Sequence, residues 1–361
     1  MKEKIHVFSL EKLMRAIKWH DSDGELKICS TPVPKLSKEN NILIKVKYCG
    51  ICGTDIHIIN KELSAKNGVV LGHEFTGEVI EIGIDVTTVD VGDRVVVNPN
   101  EGCGKCNFCQ QGKPHFCLTG GLNNTIGIHR DGGWAEYCAV PESQVLQLPK
   151  IISYTQGVLC EPLFCIVHGW DLLGKVPDYS NILIIGAGIT GLLWAKMLHH
   201  YGFRRVTITE IVKSRLKLAE NLPTDYHCIM ENELSVLFKG KTPDLDGFDF
   251  IIDCSGNPSG IQNGINYIKR GGTLNIFGLC PSGSKIYIDP SLICLNELKI
   301  VGTLINPFTS SRAIGLLENM VVNDINLNQM GVETFKLNEY KNALTAVTEK
   351  RITKAIFDLN E

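Results

Sequence analysis

The sequence predicts an α/β protein in two parts, a β-rich region followed by a doubly wound parallel sheet. Three observations carry that expectation. Short apolar or alternating runs recur up to about residue 160. Strands and helices then alternate from near residue 161. At the start of that alternation NILIIG runs into GAGITG, a strand ending in a glycine-rich turn that opens a helix. A chain of 361 residues is also long for a single core.

In chain order, MRAIKW, ELKIC, ILIKVKYCG, EFTGEVIEIG, DRVVVN and WAEYCAV read as strands, separated by Gly, Pro, Asn or Asp clusters. They suit a small barrel or sandwich with long loops. NILIIG at 181–186 reads as a buried strand, and GLLWAKMLHHYG as a helix closed by Gly202. VTITE at 206–210 is the next strand and VKSRLKLAENL the next helix. DFIIDCSG, a helical stretch at 258–269, TLNIFG and ELKIVGT continue the βαβ pattern. After about residue 305, SRAIGLLENMV and NEYKNALTAVTEK read as helices and KAIFDL as a closing strand.

Composition excludes several classes. Charged residues are 21% and hydrophobic residues 44%, an ordinary globular balance. A net charge of −3 gives no basic surface for a phosphate backbone, so no nucleic-acid partner is expected. The longest apolar run, ILIIGAGITGLLWA, is too short for a membrane span. MKEKIHVFSLEK has no signal-peptide core, and Glu3 and Glu11 are foreign to a mitochondrial leader. The expectation is a soluble cytoplasmic protein without membrane attachment. Fourteen cysteines in such a chain point to metal binding or burial rather than disulfides.

Four of them stand in EGCGKCNFCQQGKPHFC as Cys103, Cys106, Cys109 and Cys117. Four thiolates at this spacing close a tetrahedral shell around Zn²⁺ and leave no open position. Such a zinc is structural. A second group is looser: Cys52 in YCGICGTDIHI, His73 and Glu74 in GHEFTG, and Glu161 in LCEPLFC. A catalytic zinc takes three protein ligands and keeps one place open, which Cys52, His73 and Glu161 would satisfy. Thr54 and His57 follow Cys52 closely, as proton carriers would, and Asp55 could orient His73.

GAGITG supplies Gly186, Gly188 and Gly191 after a strand and before a helix, with the acid Glu210 nineteen residues further on. That context reads as a dinucleotide site. Gly186 makes the turn, Gly188 admits the pyrophosphate to the helix N-terminus, and Gly191 lets helix and strand pack. Glu210 should accept from the adenosine ribose and repel a 2′-phosphate, which favours NAD over NADP. Lys213 and Arg215 lie close enough to offset part of that repulsion.

GICGTDIH, GHEFTGEVIEIGIDV, GDRV at 92–95, the four-cysteine loop, CEPL and GAGITG together resemble the zinc-containing medium-chain alcohol dehydrogenases over nearly the whole chain. The resemblance implies a GroES-like β-rich catalytic domain at 1–162 carrying both zinc sites. It implies a Rossmann domain with a doubly wound parallel six-stranded sheet at 163–305, and a return to the catalytic domain at 306–361. It implies one catalytic and one structural Zn²⁺ and NAD. Cys52, His73 and Glu161 match the catalytic ligands, Thr54 and His57 the proton relay, and the four cysteines the structural site.

A glutamate at the third ligand position resembles the polyol branch, of the sorbitol and arabinitol dehydrogenase type. In that branch Glu74 can approach the metal, with a water between zinc and the farther glutamate. Further cofactor contacts are implied at Thr190, Arg215, Gly278, Leu279, Thr303 and Leu304. The implied activity is oxidation of a secondary alcohol, a polyol above all, to the ketone by a homo-oligomer, either dimer or tetramer. Ile58 and Ile305 depart from the sorbitol enzyme's tyrosine and arginine, which counts against sorbitol itself. Two alternatives stay open: a threonine-type or primary-alcohol dehydrogenase, and a non-catalytic zinc-stapled NAD-binding protein.

Overall fold

The computed structural model describes residues 12–20, 24–322 and 325–360. Fifteen strands form three sheets among the described residues. The first seven are β1 (Leu13–His20), β2 (Glu25–Pro32), β3 (Ile42–Gly50), β4 (Phe75–Ile82), β5 (Arg94–Val97), β6 (Tyr137–Val140) and β7 (Val145–Gln147). The next six are β8 (Ile182–Ile185), β9 (Val206–Glu210), β10 (His227–Met230), β11 (Phe248–Asp253), β12 (Ile268–Ile276) and β13 (Lys299–Gly302). β14 (Val332–Lys336) and β15 (Lys354–Asp358) complete the set.

β1 and β2 pair as an antiparallel ribbon. A seven-stranded sheet runs β14-β15-β3-β4-β5-β7, with β6 also on β3. The six-stranded sheet runs β10-β9-β8-β11-β12-β13 and is parallel throughout. This is the expected Rossmann-type sheet beside a GroES-like region. β10 escaped the strand pattern because it is only four residues long and only one of them, Ile229, is buried.

Burial explains the strand and helix choices. All of Ile182–Ile185 is buried, so β8 reads as an unbroken apolar run; helices cover both faces of a parallel sheet. The helix Ile189–His200 buries Leu192 through Leu198, including Lys196, which places it inside one core with β8 and the helices Cys160–Leu173 and Ser310–Val321. Each fully buried Leu or Ile there contributes about 1.5–3 kcal/mol. A second core fills the β-rich region around Trp134, Phe75 and Phe357. β15 lies antiparallel on β3, with Ile356 opposite Gly50, so the C-terminal strands build part of the first sheet.

Three local features aim the site residues. The helix Gly53–Ile59 starts where β3 ends, with Cys52 as its N-cap. Gly72 has φ +93, and a Cβ there would lie 2.2 Å from Trp134 Cδ1, so only glycine permits the turn that buries His73 and Glu74 together. Gly186 has φ +99, and a Cβ on Gly191 would lie 1.9 Å from the Gly186 carbonyl oxygen, which is why strand and helix close at GAGITG.

Candidate active site

Cys52, His73 and Glu74 converge, with one donor atom from each within 4.8 Å of the others. The Asp55 carboxylate organises them. Its Oδ2 accepts from the Cys52 amide at 2.8 Å, and its Oδ1 faces His73 Nδ1 at 3.5 Å. Asp55 is fully buried and that oxygen has no hydrogen-bond partner, nor has His73 Nδ1. Facing Asp55 with Nδ1 leaves Nε2 as the imidazole nitrogen free to bind a metal. Burial opposes protonation of His73, yet the Asp55 and Cys52 charges raise its pKa well above the ordinary value.

Glu161 lies outside that 4.8 Å group. It is buried on the first turn of Cys160–Leu173, and burial raises its pKa to about 7, with His73 opposing and Glu74 reinforcing. Glu74, not Glu161, is therefore the carboxylate gathered with Cys52 and His73. Thr54 Oγ1 is 3.7 Å from Cys52 Sγ. His57 Nδ1 is paired with the Glu62 carboxylate.

Two neighbours escaped the sequence reading. The Lys354 ammonium, on β15, donates to Glu74 Oε2, and both residues are about 2% exposed. Burial works against its charge, but Glu74 and Cys52 prevail and its pKa is raised. A Cβ at Gly50 would lie 2.3 Å from Glu74 Oε2 and 2.9 Å from Lys354 Cε, so this glycine makes room for the pair. Cys165 Sγ stands 3.8 Å from Glu161 Oε1, one helical turn on. The i, i+4 spacing of Glu161 and Cys165 was the available signal; nothing near Lys354 in the sequence marks it.

The four-cysteine loop is also assembled. Its donor sulfurs all lie within 4.8 Å, with Cys106 Sγ 3.5 Å from Cys109 Sγ and 3.7 Å from Cys117 Sγ. A tetrahedron of 2.3 Å Zn–S bonds sets sulfurs about 3.8 Å apart, whereas a disulfide needs about 2.05 Å. All fourteen cysteines are free thiols. The Cys103 and Gly120 amides donate to Cys117 Sγ at 3.3 and 3.2 Å. Burial pushes that thiol up, but such donors outweigh it and bring the pKa down to about 5, as suits a thiolate ligand. Both donor sets fit zinc.

At the glycine turn, Glu210 is buried at the end of β9 and its carboxylate accepts from three amides: Ala187 at 2.8 Å, Ile211 at 2.8 Å and Val212 at 2.9 Å. Arg215 lies over Gly188, its Nη1 4.0 Å from where a Cβ would stand, and donates to the Ile352 carbonyl at 2.7 Å. A cavity of about 180 Å³ includes Gly186, Gly188, Glu210 and Arg215 in its walls. A larger cleft of about 430 Å³ joins the two chemistries: Cys52, His57, Glu74 and Glu161 line one side, Gly188, Thr190 and Arg215 the other. Gly278, Leu279, Thr303 and Leu304 sit just past the carboxyl ends of β12 and β13; of that region only Phe277 reaches the cleft wall.

A half-buried thiol and two buried carboxylates facing a dinucleotide turn across one cleft, with the buried imidazole of His73 gathered beside Cys52 and Glu74, define a metal-dependent dehydrogenase. Residues 38–150 match the alcohol dehydrogenase GroES-like domain and residues 190–320 the zinc-binding dehydrogenase family. D-arabinitol dehydrogenase 1 of Uromyces fabae is 32% identical over 93% of this chain and 95% of its own length. L-threonine 3-dehydrogenase of Caldanaerobacter subterraneus subsp. tengcongensis is 32% identical over 96% and 99%. A solved zinc-binding dehydrogenase from Sinorhizobium meliloti 1021, bound to NADP, superposes with TM-score 0.87 at 31% identity, covering 96% of this chain and all of that one. The chain belongs to the zinc-containing medium-chain alcohol dehydrogenase family and is an oxidoreductase acting on a small-molecule alcohol. No helix among the described residues is long and apolar enough to cross a membrane.

Proposed function

We propose that the chain oxidises a secondary hydroxyl of a polyol to the ketone, with NAD as hydride acceptor. The single observation that carries this reading is the cleft in which Cys52, Glu74 and Glu161 face Gly188 and Thr190. Cys52, His73 and Glu74 would hold the catalytic zinc, with Glu161 close behind, and Cys103, Cys106, Cys109 and Cys117 the structural one. Zinc supplies the Lewis acid that makes a hydroxyl more acidic, and NAD the hydride acceptor.

The chain's own residues do the rest. Thr54 Oγ1 takes the hydroxyl proton, and His57 passes it towards solvent. Asp55 orients His73, and Lys354 compensates the charge on Glu74. Gly186, Gly188, Thr190 and Gly191 seat the pyrophosphate, with Gly278, Leu279, Thr303 and Leu304 towards the nicotinamide end. Glu210 and Arg215 hold the adenosine ribose, and the Glu210 carboxylate supports NAD over NADP because it would repel a 2′-phosphate.

The reading includes a catalytic region at 1–162, a cofactor region at 163–305 and a return at 306–361, supported by β14 and β15 in the first sheet. It also includes a homo-oligomer, supported by the uncovered outer strand β13, and a cytoplasmic location. L-threonine is the second reading, favoured by L-threonine 3-dehydrogenases at 30–34% identity. A panel of D-arabinitol, xylitol, sorbitol and L-threonine with NAD and NADP, read by nicotinamide absorbance, decides between them. The expected result is polyol-dependent NADH formation; turnover of L-threonine alone would replace this reading with the second.

A further inference from the structure

The helix Gly53–Ile59 ends in a way that builds a partner for its own histidine. Asn60 is the C-cap, and Lys61 adopts the left-handed conformation with φ 60. The Lys61 amide donates to the Ile58 carbonyl at 2.9 Å and the Glu62 amide to the His57 carbonyl at 2.8 Å. These two bonds are those of a Schellman turn. That turn frequently brings the residue two past the cap against the third residue before it as an apolar contact. Here the two positions hold Glu62 and His57, and the contact is a hydrogen bond between the carboxylate and Nδ1. His57 also lines the cleft with Cys52 and Glu161, whereas Glu62 is exposed.

We propose that Glu62 is a positioning residue for proton transfer: it fixes the His57 ring and tautomer so that Nε2 accepts the substrate's proton. This rests on the reading of His57 as the relay's last member. With the Nδ1–H bond donated to the carboxylate, Nε2 holds the free lone pair and points its basicity into the cleft. The balance is simple. The alcohol's O–H proton travels by Thr54 to His57 Nε2; the imidazolium formed is held by Glu62, and the proton leaves to water. The other charged groups on the cleft wall are Glu74, Glu161, Arg215, Lys350 and Lys354; among the described residues the hydrogen-bonded partner of the His57 ring is Glu62.

The test uses the zinc-loaded, full-length protein and whichever of D-arabinitol, xylitol, sorbitol or L-threonine it turns over fastest. Glu62→Gln, Glu62→Asp, His57→Gln and the Glu62→Gln/His57→Gln double variant are compared. Two readouts are taken: the pre-steady-state proton-release burst with a pH indicator, and the ¹⁵N tautomer signature of the His57 ring, assigned by its loss in His57→Gln. Losing one exposed charge-assisted hydrogen bond should slow proton release about fivefold in Glu62→Gln, with KM unchanged. Glu62→Asp should recover part of the rate, the Nδ1–H signature should weaken, and the double variant should be no slower than His57→Gln. Wild-type proton release in Glu62→Gln, with His57→Gln slow, overturns the proposal and leaves the relay intact. A fast His57→Gln, or no alcohol turned over, overturns the relay reading and this proposal with it.

Discussion

The four-cysteine loop and the Cys52–His73–Glu74 pocket each gather metal donors within 4.8 Å, yet they are built in opposite ways. The loop draws its ligands from residues 103–117, all thiols, and satisfies the charge with backbone amides. The pocket draws on the end of β3, the turn at Gly72, the helix at Cys160 and the strand β15, and it holds carboxylates against a buried ammonium. The first is complete by itself, so it can only staple. The second is assembled from separate elements and opens on a cleft, so it can exchange what it holds. A closed shell of like ligands serves folding, and an unequal set with a nearby counter-charge leaves room for substrate.

The largest expected effect that would break this contrast is at Cys52. Cys52→Ser should remove one of two zinc ions per chain and lower kcat by about 10³-fold or more, with circular dichroism unchanged. Full activity with one zinc would erase the distinction between the sites. Next comes the counter-charge. Lys354→Met strands the Glu74 carboxylate in the interior and should cost about 3–5 kcal/mol in urea unfolding, while Lys354→Arg should cost far less. Equal losses from both would show that chain packing, not charge, is what β15 contributes.

On the other side, Cys106→Ser should also remove one zinc but leave turnover largely intact. It should expose the 101–117 segment to protease and lower stability by about 1–3 kcal/mol. Abolished turnover would make the loop part of the reaction. The smallest effect belongs to the cofactor end. Glu210→Gln should weaken NAD binding about tenfold, the lower end of what one charge-assisted hydrogen bond is worth, and narrow the gap between NAD and NADP in fluorescence titrations.

The contrast also explains what could be read beforehand. The loop was legible because all its ligands share one short stretch, where spacing alone reports geometry. GAGITG was legible because strand, turn, helix and Glu210 follow in one unit. In the pocket, Cys52 and His73 stood out as a constellation and through their family context, while either Glu74 or Glu161 could complete the set, and folding brings Glu74 nearer. Lys354 and Gly50 had no local sign at all, because what matters about them is how β15 aligns on β3. β10 and β14 were missed for want of length and clean alternation.

That alignment has a consequence for how the protein is made. β3 and its partners β4 and β6 leave the ribosome early, but β15, which pairs with the end of β3 and brings the Lys354 ammonium to Glu74, comes after the whole parallel sheet. Until then Glu74 lacks the Lys354 cation and the Tyr48–Gly50 end of β3 lacks its β15 partner. A nascent chain stalled before Lys354 would therefore carry every thiol needed for zinc and a finished nucleotide fold, yet no competent enzyme. Quality control could recognise it by that uncovered edge.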